Sequence, residues 1–269
     1  MIKDLSPASL IWTTCVFTGF VLSVCLHEFG HALVAYWGGD RSVKEKGYLT
    51  LNPLKYTHPT YSIAMPLLFL LLGGLPLPGA AVYINMAALR SRAWRSAVAA
   101  AGPLATIGVA GAIALVLHRL SPNYEWVRFQ AAAAQQLSLH ALTLESWLIL
   151  GLLLLLTLEV AGAVLNLMPI PGLDGYGILE PWLPGFLQQQ MRQFARYGIW
   201  ILFAAFWLIP DFSRGFWTLV YGLVNGLGAP PEMSSLSFYL FRQGAQVILL
   251  ILLGIWILFN QWKKRQSPV

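Results

Sequence analysis

Charge is what this chain lacks. Of its 269 residues only 10% are Asp, Glu, Lys or Arg, where a soluble domain carries about a quarter. With 57% of residues hydrophobic, that deficit excludes an ordinary soluble domain and places the chain among polytopic membrane proteins. Cysteine is nearly absent as well, with Cys15 and Cys25 the only two. On one helix they stand roughly 15 Å apart along the axis, too far to bridge. A disulfide scaffold is therefore excluded, and both read as small apolar helix residues. The N-terminus lacks a basic leader and a small-residue cleavage site, so the first apolar segment is expected to be retained. The net charge of +6 does not point to nucleic acid. Much of the basic charge sits beside apolar runs, as in Arg90, Arg92 and Arg95 or Lys263, Lys264 and Arg265, the pattern of membrane topology signals.

What the chain has instead is apolar segments, at about 8–37, 61–79, 96–118, 145–167, 197–210, 214–228 and 244–262. A spanning helix needs about 20 residues, which the first, third, fourth and last meet. Segment 61–79 is broken by Pro66, Gly73, Gly74, Pro76 and Pro78 and has basic residues on both flanks. A re-entrant segment keeps both flanks on one side of the membrane; a short spanning helix is the rival. Residues 187–210 read as one helix, and 214–228 is short enough to lie in the interface or re-enter. The expectation is an all-α polytopic membrane protein of about five transmembrane helices, plus re-entrant or interfacial segments. Residues 40–59, with a turn signal at Glu45-Lys46-Gly47 followed by Tyr48-Leu49-Thr50-Leu51, read as a short β-hairpin near 41–51.

Against this apolar background one stretch stands out. Residues 23–37, SVCLHEFGHALVAYW, put two histidines and a glutamate inside a membrane segment, where an ionisable residue is a functional hypothesis by default. His27 and His31 are four apart, so both imidazoles lie on one face, one turn apart. That spacing lets two histidines bind one zinc ion. Glu28 can lean toward a water in the metal's open position, whose pKa zinc lowers toward about 7. Glu28 can take that water's proton and pass it to a leaving amine. The bland alternative is polar residues satisfied by neighbouring helices.

Two histidines leave zinc short of a protein ligand. Residues 166–179, NLMPIPGLDGYGIL, offer one. Pro169 and Pro171 end the preceding helix, Gly172 and Gly175 permit close turns, and Asp174 is an aspartate in need of a partner. Either it completes a two-histidine, one-carboxylate site or it caps the helix that follows.

The pair of motifs, His27-Glu28-Phe29-Gly30-His31 and Asn166-x-x-Pro169-x-Pro171-x-Leu173-Asp174-Gly175, resembles the site-2 proteases, zinc intramembrane metalloproteases. AAAGPLAT at 99–106 resembles the family's helix between the two, and LTLNPLKYTHP the membrane-associated segment of its compact branch without PDZ or CBS domains. The resemblance covers roughly residues 15–180. It implies one zinc ion bound by His27, His31 and Asp174, Glu28 as general base and acid, and Asn166 beside the scissile peptide. It implies a single membrane-embedded metalloprotease domain over 1–269, with a core at about 8–180 and additional C-terminal membrane helices over 181–269. The substrate implied is a transmembrane protein in the lipid bilayer. The expected location is a bacterial inner membrane with the active site toward the cytoplasm. One position departs from the family pattern: Glu159 stands where a polar amide is common. It reads as a structural hydrogen bond between helices, or as a second titratable group near the site.

Peptide bonds in a membrane helix are shielded by their own hydrogen bonds, so cleavage needs local unwinding. An exposed strand at Tyr48, Leu49, Thr50 and Leu51 could hold an unwound substrate by strand addition; the alternative is a hairpin that only joins segments. If the first helix runs inward and 61–79 re-enters, segment 96–118 runs outward and 145–167 inward, bringing both motifs to one depth. The rival functions are a non-catalytic zinc-binding membrane protein, a metal transporter, and a scaffold whose histidines only pack.

Overall fold

The computed structural model describes residues 7–56, 82–120, 143–230, 232–242 and 244. The first helix, α1, spans Pro7–Gly38, followed by single turns at Ser42–Glu45 (α2) and Pro53–Tyr56 (α3). Two further long helices are α4, Arg92–Leu120, and α5, Leu144–Asn166. A short helix at Asp174–Leu179 (α6) runs into a 3-10 turn at Glu180–Trp182, and α7 (Gly185–Leu208) and α8 (Pro210–Gly226) follow. The protein is helical, with no strand among the described residues.

Three helices, α1, α4 and α5, are long and apolar enough to cross a membrane. The expected helix over 187–210 forms as α7, but Gln188, Gln189, Gln190, Arg192, Gln193 and Arg196 crowd its first half, so it does not add a comparably apolar span. At 17 residues α8 falls short of the bilayer thickness. Segment 61–79 and all but the first residue of 244–262 lie outside the described residues. The count of about five transmembrane helices therefore reduces to three candidates among the described residues.

Side-chain pairs give the directions. Along α1 and α5, Trp12 Nε1 donates to Trp147 O at 2.7 Å, and Ser23 Oγ to Glu159 Oε2 at 2.5 Å. Numbers rise together, so the two helices run parallel. Between α1 and α4, His27 pairs with Thr106 and His31 with Val98; numbers rise against each other, so α4 is antiparallel. These are the relative directions expected for segments 8–37, 96–118 and 145–167. The central helix is α5, with 16 of its 23 residues buried, as befits a helix apolar all round. Its leucines form the main core with residues of α1, α4, α7 and α8 and with Met233, Leu240 and Phe241.

α1 and α4 pack most extensively, because small residues line their crossing. A Cβ on Gly30 would come within 2.8 Å of Ala101 O and 3.4 Å of Ala105 Cβ. This is the close backbone approach that small residues allow in membranes. The glycine in the first motif is thus a packing residue.

The expected hairpin near 41–51 is not formed. Asp40 Oδ1 accepts from Ser42 N–H at 3.0 Å and from Ser42 Oγ–H at 2.7 Å, starting a helical turn. Gly47, at φ +76°, ends it, and Tyr48 N–H returns to Val43 O. Tyr48 is then buried in a cluster with Cys25, Ala35, Val43, Leu89 and Val98, while Leu49 packs against it and Thr50 and Leu51 are exposed. The apolar–polar alternation reflects one anchored side chain, not a pleat. Strand addition at 48–51 has no strand to act through.

Glu159, 3% exposed, meets Ser23 across the α1–α5 interface, the interhelical hydrogen bond foreseen for it. Ser23→Ala and Glu159→Leu, which removes the acceptor, taken singly and together through unfolding in detergent, should show a coupling of about 0.5–2 kcal/mol; zero coupling would mean the bond does not hold the helices.

Candidate metal centre

His27 and His31 lie on consecutive turns of α1, and α1 is helical through both. The chain leaves α5 at Asn166, where Pro169 and Pro171 forbid continuation. It then folds back: Gly172 takes φ +101°, and a Cβ on Gly175 would overlap the carbonyls of Leu167 and Met168. Only glycine fits either position. The result is that Asp174, first residue of α6, returns toward α1. The helix N-cap is Leu173, so the capping alternative for Asp174 does not apply.

The three side chains converge. His27 Nε2 is 3.2 Å from Asp174 Oδ2, His31 Nε2 is 3.3 Å from Asp174 Oδ1, and the two Nε2 atoms are 3.1 Å apart. A tetrahedral ion at about 2.0–2.1 Å from its ligands sets them about 3.3 Å apart. The donor spacing matches. The Nδ1 atoms are engaged elsewhere: His31 Nδ1 with Val98 O at 2.7 Å and His27 Nδ1 with Thr106 Oγ1 at 3.0 Å. Since a carbonyl only accepts, His31 carries a proton on Nδ1, which in the neutral ring leaves the lone pair on Nε2. Burial alone would raise the Asp174 carboxyl, but the two imidazoles beside it outweigh that and hold it down at about 2. A carboxylate and imidazoles with an unprotonated Nε2 are the forms a divalent metal needs. They are the one group of three or more potential metal-binding His, Cys, Asp or Glu side chains among the described residues.

α4 closes the site from the other side. A Cβ on Gly102 would overlap Nε2 of both histidines. The Gly-Pro step thus keeps open the space in which the donors meet. Glu28 is 4% exposed, and its Oε2 accepts from the Val82 N–H at 3.0 Å. The residues after Val82 are held by Lys46 Nζ, which donates to Tyr83 O, and by Asn85 N–H, which donates to Asp40 Oδ2. Asn166 is buried at the end of α5. His58 and His140 lie outside the described residues.

Sequence reasoning missed four participants: Val98, Gly102, Thr106 and Val82. Two act through backbone atoms and leave no residue signal. Gly102 and Thr106 sat within AAAGPLAT, where a glycine beside a proline and a lone hydroxyl in an apolar helix were the available cues.

The profile of peptidase family M50 matches residues 15–210. The chain belongs to peptidase family M50. Within it, a protein of Mycolicibacterium smegmatis provisionally named zinc metalloprotease Rip2 is 38% identical over 86% of this chain and 78% of its own length. A Mycobacterium tuberculosis protein of the same name is 37% identical over 84% and 79%. Bacillus subtilis YwhC, also provisionally named a zinc metalloprotease, is 31% identical over 74% and 83%. No solved structure matches. The M50 match covers α1 from Cys15 onward, all of α4, α5, α6 and α7 and the first residue of α8, and so includes every donor of the candidate centre. The resemblance to site-2 proteases is upheld, and the three apolar helices agree with a membrane protease.

Gly102→Ala should reduce zinc content to background in elemental analysis, because the methyl group occupies the donors' meeting point. Gly108→Ala and Gly111→Ala, on the same helix with open space around them, should leave it unchanged.

Proposed function

We propose that the protein is an intramembrane zinc endopeptidase that hydrolyses a peptide bond within or near a transmembrane helix of another membrane protein. The observation that carries this reading is the convergence of Asp174 on His27 and His31, which flank Glu28 on a helix long and apolar enough to cross a membrane. His27, His31 and Asp174 would hold one zinc ion. Bound there, zinc supplies a Lewis acid for the scissile carbonyl and a water acidic enough to be deprotonated near neutral pH. The remaining chemistry belongs to the chain. Glu28 would take the water's proton and deliver it to the leaving amine. Its bond to the Val82 N–H fixes Oε2 and leaves Oε1 for the proton. Asn166 would donate its amide N–H to the scissile carbonyl oxygen, whose charge grows as the bond breaks.

Thr50 and Leu51, exposed on the bend after α2, would contact the substrate through side chains, with Tyr48 anchoring the bend and Leu49 packed beside it. The basic residues Arg41, Lys44, Lys46, Arg90 and Arg92 gather at the loop end of α1 and the start of α4. Under the positive-inside rule that end faces the cytoplasm. This supports a site opening toward the cytoplasmic side of a bacterial cell membrane. Burial of the centre serves the chemistry, because charge–dipole interactions strengthen where water is excluded.

Two measurements test the reading on a membrane-helix substrate. Glu28→Gln should keep zinc and lose cleavage by about 10²–10⁴-fold; cleavage surviving that change would defeat the protease assignment in favour of a zinc-binding protein without catalysis. Asn166→Leu should keep zinc and lower kcat by about 10²–10³-fold with little change in KM, and an unaltered kcat would remove Asn166 from the site.

A further inference from the structure

We propose that Thr106 is a positioning residue for the metal centre, its hydroxyl accepting the Nδ1 proton of His27 so that Nε2 keeps its lone pair for the ion. The inference rests on the reading that His27, His31 and Asp174 bind zinc, and adds a residue that neither motif contains.

Three observations carry it. The first is direction. Thr13, Thr14, Thr18 and Thr157 all return their hydroxyls to the carbonyl one turn back in their own helix, at Ser9, Leu10, Thr14 and Leu153. That is the ordinary fate of a threonine in a membrane helix. Thr106 instead reaches from α4 to His27 on α1. The second is burial. Thr106 is 6% exposed and His27 8%, so water has little access to take over a lost bond, and the imidazole Nδ1 would be left unsatisfied. The third is the contrast between the two histidines. His31 Nδ1 meets the Val98 carbonyl, which accepts only and is immune to side-chain substitution. His27 Nδ1 meets a hydroxyl, which can accept or donate. The ring orientation and tautomer of His27 thus hang on one side chain, whereas those of His31 hang on the backbone.

The outer partner of a metal-binding histidine fixes its tautomer and raises its basicity, and its loss typically weakens metal affinity about 10–100-fold. Thr106→Val keeps the shape of the side chain and removes the acceptor. Thr106→Ser keeps the acceptor and removes a methyl group. The test uses the full chain in detergent, stripped of metal and titrated with zinc against a competing chelator, with the cobalt-substituted absorption spectrum as a second readout. The expected result is a zinc dissociation constant raised about 10–100-fold in Thr106→Val, with an altered cobalt spectrum, and restored to within about 3-fold of wild type in Thr106→Ser. Wild-type affinity in Thr106→Val would overturn the proposal. Equal losses in the valine and serine variants would also overturn it, because packing rather than the hydroxyl would then be responsible. Should Thr106→Val not fold, Thr106→Cys, a weak acceptor, takes its place under the same criteria. A wild-type chain that binds no zinc is a different result: it defeats the metal reading itself, before Thr106 is at issue.

Discussion

The close crossing of α1 and α4 is the constraint on which the site depends. Polar groups within a membrane must be satisfied by protein, and the two imidazoles are satisfied by α4. Val98 O and Thr106 Oγ1 can reach Nδ1 of His31 and His27 only because Gly30 and Ala101 let the helix backbones approach within side-chain-free distance. The same approach brings Gly102 against the donor atoms, so α4 supports the histidines at two points and stays out of the way at a third. A bulkier residue at any of these positions would force a choice between packing and the metal centre.

The other half of the centre depends on a reversal. α5 runs parallel to α1 and delivers Asn166 to the depth of the first motif, but Asp174 has to come back against α1 to meet both imidazoles. Two prolines stop the helix, Gly172 turns the chain, and Gly175 allows it to lie on the end of α5. α7 then crosses above: a Cβ on Gly198 would overlap the Pro171 carbonyl. The candidate centre is thus built from two pieces of unlike character, a helix face and a glycine–proline loop packed against α7.

Much of this was legible in one dimension. Helix periodicity is local, so the four-residue spacing of His27 and His31 and the proline stop after Asn166 could be read directly. The helical segments were read to within a few residues for α1, α5 and α7, since apolar length is a one-dimensional property. The 41–51 segment was misread because Tyr48-Leu49-Thr50-Leu51 alternates like a strand, while the deciding facts were tertiary. Asp40 started a helical turn, and burial of Tyr48 against Leu89 and Val98 used up the one side chain that anchored the pattern. The partner of Glu159 could not be named either, because Ser23 lies 136 residues away.

Composition and motif spacing by themselves determined that the chain enters a membrane, that one helix carries paired donors with a carboxylate between them, and that an aspartate follows a forced helix end. These depend on residue type and short-range geometry. Tertiary structure alone decided that the aspartate meets both imidazoles at 3.2 and 3.3 Å, that Val98 and Thr106 hold the far ring nitrogens, and that Val82 engages Glu28. Those contacts join residues 54 to 147 positions apart in the chain, from Glu28–Val82 to His27–Asp174. A backbone carbonyl and a backbone amide make two of them, and every residue but proline carries both groups, so no pattern of side chains could announce those two.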